Sequence, residues 1–180
     1  MSFSREFVLE RVLLESRFKY SNMQINIEDP YVKHIKYLQH FFKQEHLAKD
    51  GIEKQHHITL LFGIKSNSKN LIKDSFFEVK TPPFFINVES IEVFRNETDV
   101  VVLKCSSPEL IELRKHFEER LPFKRTHKDY KPHITLAYVK SGLGDKYKEF
   151  LDKKFVKGKI KVNHIYFSNQ NGQTIRYKLG

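Results

Sequence analysis

The chain has 180 residues, 39% of them hydrophobic and 13% aromatic, which is enough apolar material for one buried core and excludes disorder as its main state. Thirty-two Lys and Arg against twenty-two Asp and Glu leave a net charge of +10, so an anionic ligand is an expected partner. A single cysteine, Cys105, excludes an intramolecular disulfide and a Cys-built zinc or iron-sulfur site. No apolar run approaches the roughly 20 residues of a membrane helix, and the opening MSFSREF lacks a secretory pattern, so the expected location is the cytoplasm.

In chain order, Phe7, Val8, Arg11, Val12, Leu14, Glu15 and Phe18 form one stripe with charges between, which predicts an N-terminal helix over an extension of residues 1–19. Residues 20–180 then read as one domain. Asn22 to Ile27 alternates as a strand, and Asp29-Pro30 supplies an N-cap and a first-turn proline. The helix that follows is expected from Tyr31 to about His46, with Tyr31, Ile35, Leu38, Phe41 and Phe42 on its apolar face and Gly51 in the loop beyond. A strand is predicted over His57 to Ile64, then a short helix near Asn70 to Phe77. Phe84 to Phe94 and Val100 to Cys105 read as antiparallel strands joined by a turn at Arg95 to Thr98. Ser107 caps a helix that begins at Pro108, runs through Leu110, Leu113 and Phe117, and stops before Pro122. A basic loop leads to a strand over Pro132 to Lys140. A helix from about Asp145 to Phe155, one strand from Lys159 to Ser168, a turn at Asn171-Gly172 and a strand from Gln173 to Lys178 complete the order. Mixed elements with adjacent hairpins predict an α+β fold rather than a doubly wound parallel sheet.

Against this background, His57-Ile58-Thr59-Leu60 recurs letter for letter as His133-Ile134-Thr135-Leu136. In a strand, period two places each His with its Thr on one face and each Ile with its Leu on the other. Similar strand-helix-strand lobes set side by side would bring the two His-x-Thr faces to a shared groove. Transfer at a phosphodiester needs a base on the attacking oxygen, an acid on the departing one, and donors for the nonbridging oxygens. His57 and His133 suit the first two tasks near neutral pH, and Thr59 and Thr135 suit the third. The scheme calls for no metal and no cofactor. A zinc site built from His56, His57, His127 and His133 is the competing constellation, disfavoured by the missing Cys ligands. His34, His40, His46, His116 and His164 are expected to be solvated. Strict alternation assigns Phe62 and Tyr138 to the Ile and Leu face, hence to core, and Lys131 is either a phosphate neighbour or a solvated loop residue.

These motifs resemble the two-histidine (2H) phosphoesterase superfamily, also called LigT-like or 2′-5′ RNA ligase-like. The neighbouring HHITLLFG, VVVLKCSSPEL, YKPHITLAYVK and the late FSNQNG are similar to the family's phage-encoded branch. The resemblance implies a bilobal pair of antiparallel sheets with outer helices around a central cleft. It implies hydrolysis of 2′,3′-cyclic phosphates, RNA ends, 2′-5′ oligonucleotides or cyclic oligonucleotide signals, and for a phage member a role against host immunity in the host cytoplasm. The expected partner is thus a nucleotide, cyclic nucleotide or RNA substrate, with no membrane, no obligate protein partner and a monomeric state. Two other classes compete: a non-catalytic nucleotide- or RNA-binding module using the same cleft, and a structural component carrying the domain as a passenger.

Overall fold

Alternation of apolar and polar residues produces most of the strands, and the computed structural model of the protein describes residues 20–95, 97–125, 129–171 and 173–180. The expected N-terminal helix lies outside the described residues. The strands are β1 (Ser21–Asn26), β2 (Leu47–Ile52), β3 (His57–Ile64), β4 (Phe84–Arg95), β5 (Thr98–Ser106), β6 (His133–Lys140), β7 (Gly158–Val162), β8 (His164–Ser168) and β9 (Thr174–Lys178). The helices are α1 (Tyr31–Gln39), α2 (Lys69–Phe77), α3 (Pro108–Arg120) and α4 (Gly144–Asp152). They build two antiparallel sheets, one ordered β3-β1-β8-β9 and the other β2-β6-β5-β4-β7, with the helices outside. This is an α+β arrangement of two antiparallel sheets with outer helices, as the resemblance implies. None of the helices described is long and apolar enough to cross a membrane.

Each sheet packs one face against helices. On the first, Met23, Ile25, Ile58, Ile165 and Phe167 lie under α2 and α3, where Phe76 stacks on Tyr177 with centroids 3.5 Å apart and meets Phe117 at 5.1 Å. On the second, Ile86, Ile91, Val101, Leu103 and Ile134 lie under α1 and α4, with Phe42 stacked on Tyr147 at 4.5 Å. The helices cross over: α1 follows a strand of the first sheet yet packs on β6 of the second, whereas α3 follows a strand of the second and packs on β3 of the first. That exchange joins the lobes through one continuous apolar cluster and sets β3 against β6.

Several elements depart from the sequence reading. Helix α1 stops at Gln39, and a 3-10 turn at Gln44–His46 leads into β2, a strand the sequence reading leaves as loop. Its LAKDGI has little β-propensity; it is an edge strand held to β6 at Leu47↔Val139 and Ile52↔Ala137. The Lys159 to Ser168 stretch is two strands in different sheets, divided at Asn163, where the chain passes from one sheet to the other. Neither expected N-cap makes a side-chain capping bond: Pro30 occupies that position in α1, and the Ser107 hydroxyl donates to the Glu109 carboxylate and accepts from no helix amide. The expected β4-β5 hairpin forms, from Asn87↔Ser106 to Arg95↔Asp99.

Candidate active site

Both tetrapeptides open a strand, β3 at His57 and β6 at His133, and in both the His and Thr are half-buried while the Ile and Leu are fully buried. The equivalence reaches the rings. His57 Nδ1 lies 2.7 Å from the Gln55 carbonyl, and His133 Nδ1 lies 2.7 Å from the Lys131 carbonyl. A carbonyl oxygen only accepts, so in both contacts Nδ1 is the donor, and the neutral ring carries its lone pair on Nε2.

Strict alternation fails just after each motif, and in the same way. The register runs Gln24↔Thr59 and then Met23↔Leu61, so Leu60 is the extra residue of a β-bulge in β3. In β6 it runs Val102↔Thr135 and then Val101↔Ala137, with Leu136 extra. Each bulge turns the following residues over by one position. Phe62 and Tyr138 therefore share the His and Thr face, which corrects their expected place opposite it. Phe62 meets Tyr20 edge-on at 6.2 Å, and Tyr138 is buried in a small cluster with Val100 and Val102. In the sequence, the bulges show only as the paired apolar residues Leu60-Leu61 and Leu136-Ala137.

The bulge carbonyls are held from the crossed helices. Arg114 of α3 donates from Nη1 to the Leu60 carbonyl at 3.3 Å, and its guanidinium lies 4.5 Å from the centroid of the Tyr130 ring. Gln39 of α1, only 6% exposed, donates from Nε2 to the Leu136 carbonyl at 2.9 Å and to the Glu53 carbonyl at 2.8 Å. With both amide hydrogens engaged, Gln39 Oε1 accepts from His56 Nε2 at 3.1 Å. Burial holds the His56 ring below the usual imidazole range. His56 thus belongs to a packed network beside the motif rather than to a metal set; His127, of the alternative zinc constellation, lies outside the described residues. Among the described residues, no three His, Cys, Asp or Glu side chains converge as they would around a metal ion.

The two motif strands are in contact, and Tyr130, three residues before His133, donates its hydroxyl to the Thr59 carbonyl at 2.9 Å. Burial pushes that phenol above its ordinary range, so it remains a donor across the working pH. Lys104 stands directly opposite His133 in the β5-β6 ladder, hence on its face, and pairs with Glu89 at 3.4 Å. The Phe94 ring meets His133 edge-on at 4.9 Å. The sequence reading missed Gln39, Arg114, Tyr130 and Lys104 as site neighbours; only register and helix crossing place them here. Lys131 is exposed and contributes its carbonyl. Two histidines expected to be solvated are half-buried and bonded, His46 to the Tyr147 hydroxyl at 2.8 Å and His116 to the Ser75 carbonyl at 2.8 Å. Cys105 is buried as expected, its thiol pushed up to about 12 by that burial.

The model of the 2′-5′ RNA ligase superfamily matches residues 27–174, which includes both motif strands and the helices that brace them. The chain belongs to that superfamily. No match is found among curated protein sequences. Among solved structures, the chain is similar to the Thermus thermophilus protein TT0787, with a TM-score of 0.62 at 16% identity over 89% of this chain and 95% of that one. It is similar to Escherichia coli LigT, in a complex with 3′-AMP, at a TM-score of 0.58 and 15% identity over 90% of this chain and 95% of that one. Usb1 of Kluyveromyces marxianus matches at 0.55 and 10% identity, covering 89% of this chain and 98% of that one. These likenesses establish a shared fold, and the superfamily is one of phosphodiester processing.

Proposed function

We propose that this superfamily member is a metal-independent phosphodiesterase acting on a nucleotide or RNA phosphodiester: a 2′,3′-cyclic phosphate, a 2′-5′ linkage or a cyclic oligonucleotide. One observation carries the reading. The two His-x-Thr pairs are equivalent in strand position, in the Nδ1 contact and in the bulge that follows, on strands that touch. Two such units suit the two ends of an in-line displacement, one on each side of phosphorus.

In the proposed reaction, one imidazole takes a proton at Nε2 from water as the water oxygen bonds to phosphorus. The phosphorus bond to the departing ribose oxygen breaks, and the second imidazole, protonated at the outset, gives its Nε2 proton to that oxygen. Thr59 and Thr135 donate their hydroxyls to the nonbridging oxygens, whose negative charge grows on the way to the transition state. Lys104, opposite His133, adds a cation near the same oxygens. Support for a nucleotide ligand comes from relatives of the same fold, LigT solved with 3′-AMP and with phosphate and Usb1 solved with uridine monophosphate.

The test is incubation with 2′,3′-cyclic nucleotides, 2′-5′ and 3′-5′ oligonucleotides and cyclic di- and trinucleotides, with product masses read out and a parallel series in EDTA. Turnover of one class, equal with and without chelator, is expected. Binding without turnover of any member would make the chain a nucleotide-binding module, and activity abolished by EDTA would contradict metal independence.

A further inference from the structure

The polar face of the first sheet carries a row that the acid-base scheme does not use. Asn22, Gln24 and Asn26 alternate along β1 with Ser21, Met23 and Ile25, which are buried, and all three amides are half-buried on the face of His57 and Thr59. Asn22 Nδ2 donates to Gln24 Oε1 at 2.9 Å, and Gln24 Nε2 donates to Asn26 Oδ1 at 2.6 Å. Amides on three successive positions of one strand face are not what strand propensity selects, since asparagine is depleted in strands.

The register places this ladder beside the motif. Asn26 stands opposite His57, Gln24 opposite Thr59 and Asn22 opposite Phe62. On its other side Gln24 faces Tyr166, which in turn faces Arg176 of β9. With strands roughly 4.8 Å apart, Gln24 is about one spacing and Tyr166 about two from Thr59. A base attached to a phosphate held by Thr59 would have this row within one or two strand spacings. The Tyr166 hydroxyl is tied to Glu28 at 3.0 Å, which holds its ring in place as a stacking surface.

A primary amide offers two hydrogens and two oxygen lone pairs. The ladder engages one of each on Gln24, so one hydrogen and one lone pair remain for a ligand. It also fixes which end of the amide is which, because turning Gln24 alone would set amino against amino and oxygen against oxygen. Nucleobase edges present donor and acceptor pairs of the same kind. We infer that the β1 amide ladder, centred on Gln24 with Tyr166 as stacking neighbour, reads the base of the nucleotide whose phosphate lies between the two His-x-Thr pairs. The inference rests on the proposed function for where the phosphate sits. It commits the site to a nucleotide, as opposed to a sugar phosphate or another base-free ester.

Equilibrium binding of the four nucleoside 3′-monophosphates tests it, without requiring turnover. Wild type should bind its best base at least roughly tenfold tighter than its worst, and Gln24→Leu, with its folding checked by thermal unfolding, should compress that spread to about threefold or less. Gln24→Glu keeps the acceptor and loses the donor, so its preference should turn toward bases that present hydrogens, cytosine among them. A wild type that does not discriminate, or a leucine variant that keeps both order and spread, would overturn the inference. Discrimination without turnover of any phosphodiester would retire the phosphodiesterase reading and leave the ladder standing. Turnover with no dependence on the base would retire the ladder alone.

Discussion

At the residue scale, the proposed chemistry depends on which atom of each side chain reaches the phosphate. The carbonyls of Gln55 and Lys131 keep the proton of each neutral ring on Nδ1, so each neutral ring carries its lone pair on Nε2. The threonines carry a separate prediction. Thr59→Val or Thr135→Val keeps the β-branched shape and deletes one hydroxyl, which should lower kcat by roughly ten- to a thousandfold if the bond strengthens in the transition state. Steady-state kinetics on the substrate found in the panel checks it; a change confined to KM would make the hydroxyl a ground-state binder. All four motif residues were legible in the sequence because the duplication names them. Lys104 was not, because its only link to His133 is the β5-β6 register.

At the element scale, the paired bulges decide what faces the site, and the crossed helices hold them. Burial lowers the His56 ring, so the folded state favours its neutral form over the unfolded state's. The corresponding stability is therefore present above the ordinary imidazole range and is lost as pH falls through it. The margin in Tm of wild type over His56→Gln should shrink between pH 7 and pH 5, and a margin that widened on acidification would contradict the sign. Gly63, next to last in β3, has φ +82, and a Cβ there would meet the Lys124 carbonyl oxygen at 2.8 Å. The Lys124 amide donates to the Gly63 carbonyl at 2.9 Å, so the contact is backbone on backbone and cannot yield cheaply. Gly63→Ala should lower stability by roughly 1–3 kcal/mol, read by denaturant unfolding; an unchanged midpoint would contradict it.

Element existence was largely legible from periodicity; phase was not. Ile160 and Val162 are buried at even-numbered positions and Ile165 and Phe167 at odd-numbered ones, so the change of sheet at Asn163 is written as a phase break inside one apolar run. Leu60-Leu61 and Leu136-Ala137 write the bulges in the same manner. In each case local propensity favours strand throughout, and only tertiary pairing determines where the alternation resets. β2 went unread because an edge strand with few ladder partners needs little propensity of its own.

At the scale of the whole molecule, the crossed helices and the shared core make the two lobes one unit, so the motifs are positioned by the same apolar cluster that stabilises the fold. The net charge of +10 bears on how substrate arrives. If it gathers an anionic ligand, KM should rise with salt, shallowly for a mononucleotide and more steeply for a longer RNA that meets more cations. Equal slopes for both lengths would make the charge incidental. The central claim, two imidazoles acting as base and acid, is tested most directly by kcat/KM against pH for wild type, His57→Ala and His133→Ala. Wild type should give a bell with both limbs within roughly pH 5 to 8, belonging to the coupled pair. Each alanine variant should lose roughly a hundredfold or more in kcat and retain only one limb, the missing limb naming the role of the deleted ring. A wild-type profile that rises without a falling limb through about pH 9, or a variant with near-normal turnover, would contradict the account.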